Sequence, residues 1–172
     1  MMEPRYDPHG VEERWQETWE SEGHYNADPD PKRESFAIAH PPPNVTGDLH
    51  MGHAMYALQD VLVRWHRMLG DAVLWVPGTD HAAIATQNVL EKQLAKKGSS
   101  KEAIGRQAWD ELVQQWYDTT GHTILQQMRR LGFSADWSRN RFTMDRDYVA
   151  AVNVAFTRFW RRGLIYLSLI HI

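Results

Sequence analysis

His50 and His53 stand three residues apart with Gly52 between them, inside the stretch HPPPNVTGDLHMGHA that runs from His40 to Ala54. On a helix this spacing puts both imidazoles on one side of the first turn. Free backbone N–H groups and the helix dipole make such a turn an anion site, and two imidazole donors added there suit a triphosphate. Gly52 has no side chain, which lets a flat ligand lie against the backbone. The three prolines hold the approach to the turn at low entropic cost. Two other readings compete. A His-x-x-His pair can hold a metal, but zinc wants at least three protein ligands; only His81 is at hand, with no Asp, Glu or Cys at a supporting spacing in the same helix. The pair can also be a surface feature with no role. The whole stretch favours the phosphate site.

Asp80 follows a second apolar run, at the carboxyl end of a strand, where ligands bind in open α/β sheets. A carboxylate there suits an ammonium group. It equally suits the cap of the next helix, and position alone leaves the two open.

The elements that position these residues follow from spacing. Pro8, Val11, Trp15 and Trp19 predict an amphipathic helix over 8–21, followed by the polar connector ADPDPKRE. SFAIAH, 35–40, predicts a buried strand that the prolines stop. From 50 to 69 the period becomes helical, with Ala54, Leu58, Val61, Trp65 and Met68 on one face and Gly70 as the stop. AVLWV, 72–76, predicts a second strand, and 82–97 a helix ending before Gly98. Ser100 is an N-cap without the Glu that would complete a capping box. Ala108, Leu112 and Trp116, then Ile124, Leu125, Met128 and Leu131, predict one or two helices that bend or separate at Thr120-Gly121. A short strand at 141–143 and a helix from Asp145 to Arg162, closed by Gly163, complete the chain. Strand and helix alternating in this way predict an α/β fold of parallel strands with crossover helices. Trp109 and Trp116 are expected in the core, and Arg129, Arg130, Arg158, Arg161 and Arg162 on solvated helix faces.

Bulk properties set the bounds. A chain of 172 residues makes one ordinary domain. With 42% hydrophobic and 24% charged residues and eight tryptophans it is globular rather than disordered. A net charge of −3 excludes a wholesale basic nucleic-acid binder. Without cysteine there is no disulfide framework and no thiolate metal site. The amino-terminal residues have no apolar signal region and no run is long enough to span a membrane, so a cytoplasmic protein is expected.

PPPNVTGDLHMGHA closely resembles the signature of the class I aminoacyl-tRNA synthetases, whose "HIGH" motif stands here as His50-Met51-Gly52-His53. The preceding Pro-Pro-Pro-Asn-Val-Thr-Gly is similar to the valine-specific members. LWVPGTDHAAIATQ (74–87), MRRLGFSADWSR (128–139) and RFTMD (141–145) are similar to the same members, in the same order. The resemblance runs from about Tyr6 to Tyr166. It implies an N-terminal helix and connector over 1–34, the first half of a Rossmann-like nucleotide-binding catalytic domain over 35–166, and a non-matching tail at 167–172; editing and anticodon-binding domains are not in the chain. It implies an aminoacyl-tRNA ligase that joins valine to tRNA(Val) through a valyl-adenylate, using ATP with Mg2+, and that works as a monomer away from membranes. His50 and His53 would be catalytic and contact the triphosphate, Thr46 would orient the phosphates, and Gly52 would lie under the adenine. Asp80 would take the α-ammonium of the amino acid, with Pro42 and Asn44 lining its pocket. The chain by itself is expected to be inactive. A non-catalytic nucleotide-binding remnant and a histidine-based metal module are the alternatives. A nucleotidylyltransferase shares the H-x-G-H logic but not the residues before it.

The sequence departs from the family in three places. After His53 the run AMYALQD is one residue short of the family's usual spacing, and a deletion in a helix turns the residues beyond it by about 100°; either a reshaped first turn or a local irregularity of the helix is expected. Ala83 stands where the family has Gly, a handicap if that position needs positive φ. The tail LSLIHI does not match, and the KMSKS loop that helps hold the triphosphate is not in the chain.

Overall fold

The structure of the protein, a computed structural model, describes residues 6–170; the chain's first five residues and the last two of its expected tail lie outside. Helix α1 (Pro8–Ser21) starts with the proline in its first turn and with Asp7 as the cap, whose carboxylate accepts the His9 N–H at 3.1 Å. Proline is harmless there because that N–H has no helical partner in any case.

Strand β1 (Ser35–Ala37) pairs in parallel with β2 (Ala72–Leu74), Phe36 opposite Val73. Between them runs helix α2 (Met55–Leu69), ended by Gly70 at φ 94°, a left-handed cap that glycine adopts without strain. Strand β3 (Gly78–Thr79) pairs in parallel with β4 (Arg141–Phe142); helices α3 (Ala83–Lys96) and α4 (Lys101–Arg130) lie between them in the chain, and α5 (Arg146–Arg161) follows. The regular strands are short because Pro41, Pro42, Pro43 and Pro77 bring no N–H to a ladder. The ribbon nevertheless continues. Val45 N–H donates to the Asp80 carbonyl at 2.9 Å, Asp80 N–H to Pro43 at 2.8 Å, Arg141 N–H to Pro77 at 3.0 Å and Thr143 N–H to Thr79 at 3.1 Å. Segments 43–45, 77–80 and 141–143 thus lie side by side with Asp80 in the middle one. Gly78 permits this approach: a Cβ there would sit 2.6 Å from the Arg141 carbonyl oxygen.

One core joins these pieces. Val45, Val73 and Trp75 from the ribbon meet Tyr56 and Val63 of α2, Ile124 and Met128 of α4, and Phe133, Ala135 and Trp137 from the loop after α4. Trp109 is buried as expected, and Trp116 donates its indole N–H to the Val45 carbonyl at 2.6 Å. Among the described residues no helix is long and apolar enough to cross a membrane.

Three expectations are corrected. First, α2 turns its apolar stripe outward. Leu58, Val61, Trp65 and Met68 are exposed, whereas Tyr56, Asp60 and Val63 are buried. The inward side carries Asp60, Arg64 and Arg67, all bonded to the loop 132–134, and buried polar groups need such partners. Second, α4 consists of two helical segments that meet at a kink at Gly105 (φ 77°, ψ 168°), not at Thr120-Gly121. Gly121 is buried, with its bare backbone over Thr79 and Val45. A single glycine costs a helix about 1 kcal/mol, which packing on the ribbon offsets. Third, Arg129 is not on a solvated face. Its guanidinium pairs with Glu20 of α1 at 3.0 Å and lies 4.4 Å over the Trp137 ring.

His40, between β1 and the prolines, packs edge-on against Tyr56 (4.2 Å) and Trp75 (5.5 Å). One ring nitrogen meets Gln59 Oε1 at 3.1 Å; Nε2 is buried without a partner. Burial lowers its pKa, helped by the charge of nearby His53 and opposed by Gln59. The folded state therefore binds this proton less readily than the unfolded one. The stability it confers is complete above the unfolded value of about 6.5 and is lost as pH falls from there toward the folded value. Urea unfolding compared across that range should show a shallower acid-side loss for His40→Leu than for the parent; equal slopes would refute the assignment.

Candidate functional site

His50 caps a 3-10 turn, Met51–Ala54, that leads into α2. The His50 Nδ1 accepts the Gly52 N–H at 3.1 Å, and the His53 Nδ1 accepts the His50 N–H at 2.9 Å. A neutral imidazole has one acceptor nitrogen and one N–H, so both rings are held as the Nε2–H tautomer. The centroids are 4.1 Å apart, giving two adjacent N–H donors at a helix start. Burial first, then the His50 charge, lowers the His53 pKa and favours this neutral form. Gly52 is needed for the arrangement itself: a Cβ there would fall 2.8 Å from His50 Cε1.

The loop before the pair is clamped from outside. Gln127 of α4 accepts the Leu49 N–H at 2.8 Å and donates to Asp48 at 3.0 Å. Tyr56 donates its hydroxyl to the Pro41 carbonyl at 3.0 Å. Thr46 bonds through its backbone to the Asn44 carbonyl at 2.8 Å. Pro42 is half-buried and Asn44 is exposed, and Asn44 forms a parallel bridge with Asp80. Backbone pairing thus brings the proline segment and Asp80 together, and the same loop continues to the histidines.

The Asp80 carboxylate is a third exposed and keeps an open side. Its Oδ1 accepts from the Thr143 hydroxyl at 3.0 Å and from the Ala82 N–H at 3.2 Å. Asp80 is not the N-cap of α3; Ala82 is, at φ 50°. The strained residue is therefore Ala82 rather than Ala83, which begins the helix. Left-handed backbone costs a non-glycine residue about 1–2 kcal/mol, and here the bond to Asp80 helps hold it. Beside the carboxylate, burial and then the charge of Asp80 raise the Tyr117 pKa, so that phenol stays neutral.

Among the described residues no three His, Cys, Asp or Glu converge to hold a metal. His81, the third ligand that a metal site would need, turns its Nδ1 to Thr143 at 2.6 Å. A cleft of 880 Å³ lies elsewhere, between α1 and the end of α4, lined by Trp15, Trp19, Asp60, Arg64 and Arg129. Neither it nor a 260 Å³ hollow next to it takes in His50, His53 or Asp80. The histidine pair sits instead on an open face among the exposed Met51 and Met55.

The family model described as tRNA synthetases class I (I, L, M and V) matches residues 14–170. The chain belongs to this family. It is 54% identical over 162 residues to a valine--tRNA ligase of Geobacter sulfurreducens, a match that covers 94% of this chain and 18% of the relative. A valine--tRNA ligase of Thermosynechococcus vestitus is 52% identical over 163 residues, with the same coverage. The fold superposes on LeuRS of Agrobacterium radiobacter K84, solved as a ternary complex with tRNA and LeuAMS, with a TM-score of 0.76 and 25% identity over 94% of this chain and 19% of that one. The synthetase chain thus spans about a fifth of the length of the relatives it matches.

Within this class I synthetase chain, Thr143 and Gln127 are the residues that sequence reasoning missed. RFTMD stands out in the sequence by resemblance alone, and no local pattern links Gln127 to a loop 78 residues earlier.

Proposed function

We propose that the chain supplies the phosphate- and amino-acid-binding half of an ATP-dependent valine--tRNA ligase. The carboxylate of valine attacks the α-phosphate of ATP, valyl-adenylate and pyrophosphate form, and the valyl group then passes to the terminal ribose of tRNA(Val). The observation that carries this reading is the parallel bridge between Asn44 and Asp80, in a chain so similar to valine--tRNA ligases. A carboxylate with an open side is thereby set against the segment Pro42–Asn44, and the loop from there ends in two Nε2–H donors. In this reading Asp80 binds the α-ammonium as a charge-assisted pair, and Pro42 and Asn44 wall the side chain. Rigid walls exclude larger side chains but reject an isostere such as threonine poorly, a limit for which the valine enzyme is itself the standard example. His50, His53 and Thr46 donate to phosphate oxygens as charge builds on the phosphorus, and the gain comes from donors held in place beforehand. Gly52 keeps the adenine side open.

The chain offers no all-protein cage for Mg2+ among its described residues; this ion keeps few protein ligands and is carried by phosphates. Bound in that way it neutralises phosphate charge.

Calorimetry with ATP tests the histidine roles. Each imidazole N–H to a charged oxygen is worth about tenfold in affinity, so His50→Ala with His53→Ala should weaken ATP binding by about a hundredfold. Equal affinity in the parent and the double variant would sink the phosphate reading. Valine-dependent ATP–pyrophosphate exchange is expected to be undetectable for the chain alone; nucleotide binding without exchange in the full-length ligase would instead favour a non-catalytic remnant.

A further inference from the structure

Thr143 has a hydroxyl whose hydrogen-bonding capacity is fully used. It donates to Asp80 Oδ1 at 3.0 Å, and it accepts from the His81 backbone N–H at 2.9 Å and from the His81 ring Nδ1 at 2.6 Å. A hydroxyl has one hydrogen to give and two lone pairs. Since the hydrogen goes to an ionised carboxylate, which can only accept, both bonds from His81 must be donated to Thr143. His81 is therefore the Nδ1–H tautomer, opposite to that of His50 and His53. Thr143 is itself held by its backbone N–H on the Thr79 carbonyl, beside β3 and β4. The short side chain that carries the hydroxyl thus starts from backbone fixed in the ribbon.

We infer that Thr143 is a positioning residue: by occupying Asp80 Oδ1 and holding the His81 Nδ1–H, which itself lies 3.2 Å from that oxygen, it presents the carboxylate's open side to the ammonium of the amino acid. This rests on the ammonium role proposed above for Asp80. Oδ1 is contacted by the Ala82 backbone N–H, by the short Thr143 side chain and by the His81 ring. The carboxylate is consequently oriented before the ligand arrives, and no ordering remains to be done on binding. A plain tether between β3 and β4 would need no hydroxyl, because the backbone ladder already joins them.

The test compares valine with isovalerate, the same molecule without its ammonium, in calorimetry on the full 172-residue chain and on Thr143→Val and Thr143→Ser. Valine should bind the parent chain more tightly than isovalerate. Thr143→Val should reduce that preference about tenfold while leaving isovalerate binding unchanged, and Thr143→Ser should restore it. A Thr143→Val chain with native circular dichroism and an undiminished preference overturns the inference alone. Equal binding of the two compounds by the parent, or none of either, overturns the ammonium role of Asp80 and the inference with it. A second readout needs no ligand: the ring nitrogen chemical shifts of His81 should report Nδ1–H in the parent and in Thr143→Ser. An Nε2–H ring in the parent overturns the arrangement.

Discussion

Asp60→Ala is expected to lower the unfolding free energy by about 2–3 kcal/mol, mainly the cost of a buried donor left unsatisfied, because Arg64 is 40% exposed and water screens its half of the ion pair. Asp60 Oδ1 accepts from the Ser134 backbone N–H at 2.9 Å and also from the Ser134 hydroxyl, and Oδ2 accepts from Arg64 Nε at 2.7 Å. Arg64 also donates to the Gly132 carbonyl, and Arg67 to the Ser134 hydroxyl and carbonyl at 2.6 and 2.7 Å. One carboxylate therefore balances two guanidiniums and satisfies a fully buried serine. Alanine would leave the Ser134 N–H without an acceptor and remove the anion that two guanidiniums share. Asp60→Asn keeps the acceptor but not the charge, so its cost should lie between zero and that of alanine. Urea unfolding followed by tryptophan fluorescence measures both. A cost under about 1 kcal/mol for alanine, the scale of an exposed pair, would show that the network contributes no more than a surface one.

The second large effect is expected at Trp75. Its side chain is 0% exposed, at the junction of ribbon, α2 and the loop after α4. The ring packs against His40 at 5.5 Å and Phe133 at 5.6 Å, and its backbone carbonyl takes the Asp136 N–H at 2.8 Å. Trp75→Ala should cost about 3–5 kcal/mol through lost burial and the cavity left behind. Trp75→Phe is the informative partner. The indole N–H is buried without an acceptor, so phenylalanine removes an unsatisfied donor while opening a smaller void. Its cost should be well below that of alanine. If the two variants unfold at the same urea concentration, the volume of the indole does not support this junction.

The elements legible in the sequence are those whose signals are local. Pro8 with Asp7, the Ser100 cap on Ala103 and the glycines at 70 and 163 mark helix ends through their own backbone preferences. The histidine pair was legible for the same reason, since its geometry closes within four residues. The hidden features depend on partners far along the chain. The facing of α2 is set by Asp60 and its bonds to Ser134, 74 residues on, so the apolar period of the helix pointed to the wrong side. Strand β3 has two residues and no period to read; β4 lies where a short strand was expected, but its pairing with β3 had no local signal. The strained residue is Ala82 and not Ala83 because Asp80, rather than a sequence pattern, decides where α3 begins. Thr143 was hidden in the same way: its importance lies in Asp80, 63 residues before it.

The caps at the start of α2 have a chemical consequence. Each Nδ1 lone pair is already spent on a peptide N–H, and a proton arriving at that atom must evict the peptide. Protonation of His53 therefore unlatches the turn at the moment it adds positive charge. An anion that needs the shape gains little from the charge.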